Sequence, residues 1–401
     1  MFENFISARL EAWKRGLSRH VETGEIPGLV ALASRHGEVH VHVAGSLISG
    51  GSEPMCRSAI FRIASMTKPV AAVAAMILVE EGKLKLDDPV DPWLPELADR
   101  QVLNRLDGPL EDTSPAVRPI TLRDLLTLRM GLGYIFDDTR GWPIQEAINA
   151  LGILQGPPRP QSLPAPEVWM KGVGALPLMH QPGEQWKYDL GLDVLGVLIA
   201  RVSGQTLGDF MAERIFLPLG MEDTGFFVPE GKRHRLPASY EWNHATGGLR
   251  VYDGVEDSAW ARPPAFAAAA SGLVSTADDY HALCQMLLHR GKLGGVRVLA
   301  EQTVTQMTSD QLTPAQRAAN PFFFNDHSSW GLGMAVGISR GAIYEHPGRF
   351  GWDGGLGTSA YTDPGNGVIG ILLTQRNMDS PEPPGVFTQF WTGLYDALSI
   401  A

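Results

Sequence analysis

The chain has 401 residues, of which 44% are hydrophobic and 19% charged, with a formal net charge of −11. These proportions exclude disorder and coiled coil, and they allow a core large enough for one two-lobed domain or two intimately packed ones. The acidic balance, without any basic run, excludes a nucleic-acid partner. Cys56 and Cys284 alone support neither a disulfide framework nor a thiolate metal site, and are expected as buried thiols.

From Met1 to about Val21, Phe2, Phe5, Leu10, Trp13 and Leu17 recur at helical spacing among charged residues, which predicts an amphipathic helix rather than a signal peptide. The longest apolar run, Pro69 to Val79, falls well short of the roughly 20 residues a membrane span needs. A cytoplasmic protein with no membrane partner is expected. Leu29–Ala33 and Val39–Val43 read as antiparallel strands about a turn at His36-Gly37. Val39, Val41 and Val43 share one face. His40 and His42 share the other as an H-x-H pair without a third ligand, so they read as solvated strand histidines.

Ala71 to Glu81 predicts an Ala-rich helix, stopped by Gly82 and with Pro69 in its first turn. From about Asp87 to Trp260 strand signals are few, and helical patterns are short: Leu122–Leu128, Glu146–Leu151 and Leu190–Ser203. Pro157, Pro158, Pro160, Pro164 and Pro166 forbid regular structure, leaving either a loop that borders a cleft or a plain surface connection. A further helix is predicted over Tyr280–His289, strands over Leu332–Ile338, Ile343–His346, Ser359–Thr362 and Val368–Thr374, and a closing helix near Phe387–Leu398. Strands at both chain ends predict an α/β (α+β) fold, with an antiparallel sheet flanked by helices and an inserted, mostly helical lobe. The corresponding division is a sheet domain of residues 1–62 and 270–401, and a helical domain with lid-like loops over 63–269. The cleft between them is the expected site.

Ser65 and Lys68, three apart at a helix start, project to one side of its first turn. The positive helix N-terminus favours an alkoxide or oxyanion beside Ser65. A serine hydroxyl still needs a base. A desolvated lysine can supply one, and so can a tyrosine phenolate stabilised by cations.

The context of that pair, Phe61-Arg62-Ile63-Ala64-Ser65-Met66-Thr67-Lys68-Pro69, resembles the nucleophile segment of the penicillin-recognising serine hydrolases. His180-Gln181-Pro182-Gly183-Glu184-Gln185-Trp186-Lys187-Tyr188-Asp189-Leu190-Gly191 resembles their P-G-x-x-x-x-Y-S-N segment, which assigns the catalytic tyrosine to Tyr188. Phe350-Gly351-Trp352-Asp353-Gly354-Gly355 stands where their Lys-Thr-Gly or His-Thr-Gly strand belongs, and its Trp352-Asp353-Gly354 is similar to the Trp-x-Gly of family VIII carboxylesterases, relatives of class C β-lactamases. The resemblance spans nearly the whole chain. Pro89-Val90, Ile120–Thr127 and Gly272–Thr276 also look like its framework.

What the resemblance implies is a β-lactamase-like fold and a Ser65 acyl-enzyme. Tyr188, bonded to Lys68, would move the proton, and the backbone N–H groups of Ser65 and Gly355 would hold the oxyanion. Trp352, Asp353, Gly354, Asp189 and Leu190 would contact substrate. Departures from the lactamase pattern refine this reading. Leu190 replaces an amide-bearing Asn, and Trp352 replaces a cation suited to a carboxylate, so uncharged, short-chain hydrophobic esters are the expected substrates. Asp189, where Ser is usual, would favour a charged Lys68 if it points inward. Of the remaining tryptophans and phenylalanines, Trp186, Trp330 and Phe350 are expected to pack the lobes.

A β-lactamase, a D-amino-acid peptidase and an acyltransferase remain alternatives on the same residues. No G-x-S-x-G occurs, against an α/β-hydrolase elbow, and no H-E-x-x-H spacing supports a catalytic metal. Neither metal nor cofactor is expected, and the oligomeric state is open. A dead binding module would most easily have lost Ser65, Lys68 or Tyr188.

Overall fold

The structure, a computed structural model, describes residues 4–135, 141–152 and 156–399; Met1, Phe2 and Glu3 of the first predicted helix lie outside them. Helix α1 covers Ser7–Glu22, burying Leu10, Trp13 and Leu17. Strands β1 (Gly28–Arg35) and β2 (Glu38–Gly45) follow, then helices α2 (Thr67–Glu80), α3 (Leu190–Ser203) and α4 (Ala277–Leu288). Strands β3 (Ser328–Trp330), β4 (Ala335–Gly337), β5 (Phe350–Gly354), β6 (Thr358–Asp363) and β7 (Val368–Thr374) precede the closing helix α5 (Gly385–Asp396). The seven strands form one antiparallel sheet in the order β3-β4-β5-β6-β7-β1-β2, in a mixed helix-and-sheet, β-lactamase-like fold.

Joining the two chain ends at β7 and β1 buries β1 on both faces, which is why Leu29–Ala33 is an unbroken apolar run. Alternation sends Leu29, Ala31, Ala33 and Leu372 to α1 and α5, and Val30, Leu32, Ile369, Ile371 and Leu373 to the opposite face, toward α4. That second cluster continues without interruption from the sheet into the helical part. Helices α2 and α3 are apolar all round because neighbours enclose them. Among the described residues no single helix is long and apolar enough to cross a membrane.

Several local expectations need correction. Ile343–His346 is a turn and irregular chain rather than a strand, outside the ladder of the sheet. His40 and His42 are half-buried rather than simply solvated: α1 covers part of that face, with His42 bonded to Ser18 at 2.9 Å and His40 edge-on to the Phe5 ring. Among the described residues no three His, Cys, Asp or Glu side chains gather as a metal-holding group. Cys284 is buried, but Cys56 is only half-buried. The middle of the chain also carries two hairpins the sequence hid, Gln101–Leu103 with Thr113–Pro115 and Ser239–Asn243 with Gly248–Asp253.

Candidate active site

Ser65 lies in a 3-10 turn, Ala64–Met66, that runs directly into α2. Ala64 adopts φ +43°, a strained conformation for a residue with a Cβ. The turn is held from several sides. Thr67 Oγ1 donates to the Ala64 carbonyl at 2.7 Å, and Tyr280 Oη donates to the Met66 carbonyl at 2.9 Å. Gly354 closes against it from the sheet, where a Cβ would fall 2.4 Å from the Ile63 carbonyl oxygen. Gly354 therefore packs the strand onto the nucleophile turn rather than touching substrate. Beyond it Gly355 reaches the cavity wall, and among the described residues its N–H has no acceptor, while its carbonyl accepts from Met378.

Lys68 is fully buried. Its ammonium donates to Ser65 Oγ at 3.1 Å, to the Ala270 carbonyl at 2.9 Å and to the Asp189 carboxylate. Three donors thus meet three partners, of which Asp189 and Ala270 can only accept. Burial pulls the Lys68 ammonium down, but Asp189 and Tyr188 outweigh it and hold its pKa above the ordinary lysine value.

Asp189 reaches Lys68 through an uncommon backbone. With φ +83° and ψ −61°, and Leu190 N–H bonded to the Tyr188 carbonyl at 3.3 Å, it is the centre of a strained γ-turn at the start of α3. That turn folds the carboxylate back toward α2 while Leu190 goes into the core. Leu190, 2% exposed, is therefore not part of the cavity wall.

Tyr188 stands over the reacting centre, with Lys68 Nζ 4.4 Å from its ring centroid and the Trp352 indole N–H donating to its Oη at 2.9 Å. Trp352 was expected as an apolar face; its N–H is also a donor aimed at the phenol. Phe323 stacks on the Tyr188 ring at 4.9 Å, and Trp186 and Trp330, both fully buried, back the assembly. Trp352→Phe keeps the ring volume and removes the donor, so kcat on an ester should fall about tenfold with KM little changed; an unchanged kcat would remove the indole N–H from the chemistry.

These groups line a cavity of about 640 Å³ that takes in Ser65, Tyr188, Trp352, Gly355 and the Pro157–Pro160 loop. Tyr252 Oη fixes that loop through the Pro158 carbonyl at 2.8 Å. Asp353 also reaches the cavity, but from the other face of β5, where its Oδ2 accepts from Tyr361.

The sequence reading missed Asp193, Tyr134 and Phe323. Asp193 lies one helical turn beyond Asp189, a lone acid in an apolar helix, and that isolation was the available signal. Its Oδ1 accepts from Ala270 N–H at 2.8 Å, so it braces the residue whose carbonyl holds Lys68. Burial, and then the charge of Asp189, push its carboxyl up from 3.8 to about 7. Between those values the unfolded chain has released the proton and the folded one retains it, so stability falls as pH rises through that window. Asp193→Asn keeps an acceptor and should raise Tm by a few degrees at pH 8 relative to its effect at pH 4; equal shifts at both would refute the assignment.

A half-buried serine bonded to a buried lysine, with a tyrosine ring over that lysine and both serine and tyrosine lining one cavity, defines the class: a serine hydrolase of the β-lactamase fold. The beta-lactamase family profile matches residues 8–386. The chain belongs to the beta-lactamase family. It is 36% identical to the uncharacterized protein MT1414 of Mycobacterium tuberculosis, over 89% of this chain and 88% of that one. It is 29% identical to esterase EstB of Burkholderia gladioli, over 94% and 93%. The structure of EstCE1, described as a hydrolase with promiscuous acyltransferase activity, superposes with a TM-score of 0.81 at 25% identity, covering 97% of this chain and 99% of that one.

Proposed function

We propose that this protein is a carboxylesterase of the family VIII type, in which Ser65 is acylated, Tyr188 is the base and Lys68 remains an ammonium throughout. The observation that carries the reading is the Lys68 environment. Asp189 and Ala270 bind the ammonium, and the third donor points at Ser65 Oγ, 3.1 Å away. A cation fixed there favours negative charge on both Ser65 Oγ and Tyr188 Oη, and the Trp352 N–H adds to the second.

In the proposed cycle Tyr188 phenolate takes the Ser65 proton as Oγ bonds to the ester carbonyl carbon. The oxyanion is received by the N–H groups of Ser65 and Gly355. Collapse breaks the bond to the leaving alkoxide, which takes the proton from Tyr188. Water then repeats the sequence on the acyl-enzyme, its proton passing through Tyr188 to Ser65 Oγ as the acid departs.

Around the scissile bond the walls are Trp352, Phe323 and Tyr188, so the acyl group bound next to Ser65 is proposed to be hydrophobic and uncharged, with short chains accepted. A cytoplasmic setting and a small-molecule ester as partner are part of the same proposal. Parallel assays on short-chain p-nitrophenyl esters and a chromogenic cephalosporin test it: ester turnover with little lactam cleavage supports the reading, and dominant lactam cleavage replaces it with a β-lactamase. Acyl transfer to an alcohol is a second reading, favoured by the apolar lining that would admit an organic acceptor in place of water; the likeness to EstCE1 adds to it.

A further inference from the structure

The cavity does not end at Ser65. A second arm runs along the opposite face of β5, where Arg349, Gly351 and Asp353 alternate on one side. Arg349 is only 9% exposed. Its guanidinium carbon lies 3.8 Å from the Tyr361 ring centroid, 4.3 Å from that of Trp391 and 5.5 Å from that of Tyr344. Gly351 makes room for this stack: it pairs with Tyr361, has φ +154°, and a Cβ there would fall 2.8 Å from the Tyr361 ring.

The arrangement leaves a buried cation that forms no ion pair among the described residues, and Nε and Nη2 of Arg349 have no hydrogen-bond partner. Two of the neighbouring carboxyls are engaged elsewhere. Asp363 accepts from Tyr395 Oη at 2.8 Å and from Asn366, and Glu345 accepts from Asn325 and from the Ala342 N–H. Asp353 accepts from Tyr361 through Oδ2 while its Oδ1 has no partner; burial pushes its carboxyl up and the Arg349 charge acts against that rise, yet the two form no ion pair. His346, the other titratable group on this wall, stacks on Tyr395. An unpaired buried charge is costly. Aromatic rings cover the faces of this guanidinium, so only its in-plane edge can bind, and that edge matches a carboxylate in a two-bond fork.

We propose that Arg349 is a carboxylate-recognition subsite: the ester attacked by Ser65 carries, remote from its scissile bond, a carboxylate that docks on this guanidinium. The inference rests on the esterase reading and narrows its substrate class to esters with an apolar body and an anionic far end. It is compatible with the apolar walls that Trp352 and Phe323 offer an acyl group beside Ser65, because Trp352 and Asp353 point to opposite faces of β5.

Two isosteric pairs test it on the wild-type protein: the mono-p-nitrophenyl ester of suberic acid against p-nitrophenyl octanoate, and 8-acetoxyoctanoate against octyl acetate. In at least one pair the anionic ester should have the higher kcat/KM by about tenfold or more. Arg349→Gln should bring that ratio near unity, and Arg349→Lys, which keeps the charge without the fork, should retain part of it. No anionic preference in either pair, or a preference that survives Arg349→Gln, overturns the subsite. Calorimetric titration of Ser65→Ala protein with free suberate needs neither turnover nor a stable Arg349 variant. Suberate binding in a protein inert to esters would keep the subsite and refute the esterase, whereas Ser65-dependent hydrolysis of neutral esters with neither preference nor suberate binding would refute the subsite alone.

Discussion

Ser65→Ala should reduce ester turnover by at least about a thousandfold and abolish covalent labelling by an organophosphonate. The substitution removes one oxygen from a half-buried position and leaves the Ala64 and Thr67 contacts that shape the turn, so the fold should persist with an unchanged Tm. Lys68 loses one of three partners but keeps Asp189 and the Ala270 carbonyl. Mass spectrometry of the labelled protein decides the matter: phosphonylation retained in the variant would move the nucleophile to another residue.

Tyr188→Phe should lower kcat by about a hundredfold to ten-thousandfold, the range for loss of a general base, while the Phe323 stacking surface is kept. A companion variant separates the two possible bases by pH. In the wild type Lys68 is held as an ammonium, so a mechanism needing the free amine would gain rate only above the ordinary lysine range. Asp189→Asn removes the main charge opposing burial, and the pKa of Lys68 must then fall. If Tyr188 is the base and the ammonium its support, the alkaline limb of kcat/KM moves to lower pH and the rate at neutrality drops. A rate that instead rises at neutral pH in Asp189→Asn would make Lys68 the base. The variant also leaves a buried cation unpaired, which should cost about 3–5 kcal/mol of stability as an upper range and appear as a lower Tm.

Much of this protein was legible in the chain because local rules and tertiary packing agree. The apolar period placed α3 at Leu190–Ser203 and β7 at Val368–Thr374 with the boundaries later found, and Gly82, at φ +70°, ends the helix that follows the nucleophile. Ser65 and Lys68 could be paired because they share one helix turn, and the folded chain brings the Tyr188 ring over Lys68. Ile343–His346 misled for the opposite reason: β-branched and aromatic residues suit a strand, but no neighbouring strand offers them a ladder.

Side-chain direction was not legible. The residue types alone determined a serine beside a lysine at a helix start; the tyrosine came from the motif resemblance. Only the folded chain decided that Asp189 turns inward on a strained γ-turn, that Leu190 leaves the cavity for the core, that the Trp352 N–H meets Tyr188 Oη, and that Arg349 is buried among aromatic rings and forms no ion pair among the described residues. The physical reason is the range of the interactions. A motif records which groups lie within a few residues of each other, whereas the ionisation of Lys68 depends on Asp189, far along the chain, and the burial of Arg349 on rings from a neighbouring strand and the closing helix, at separations over which sequence carries no distance.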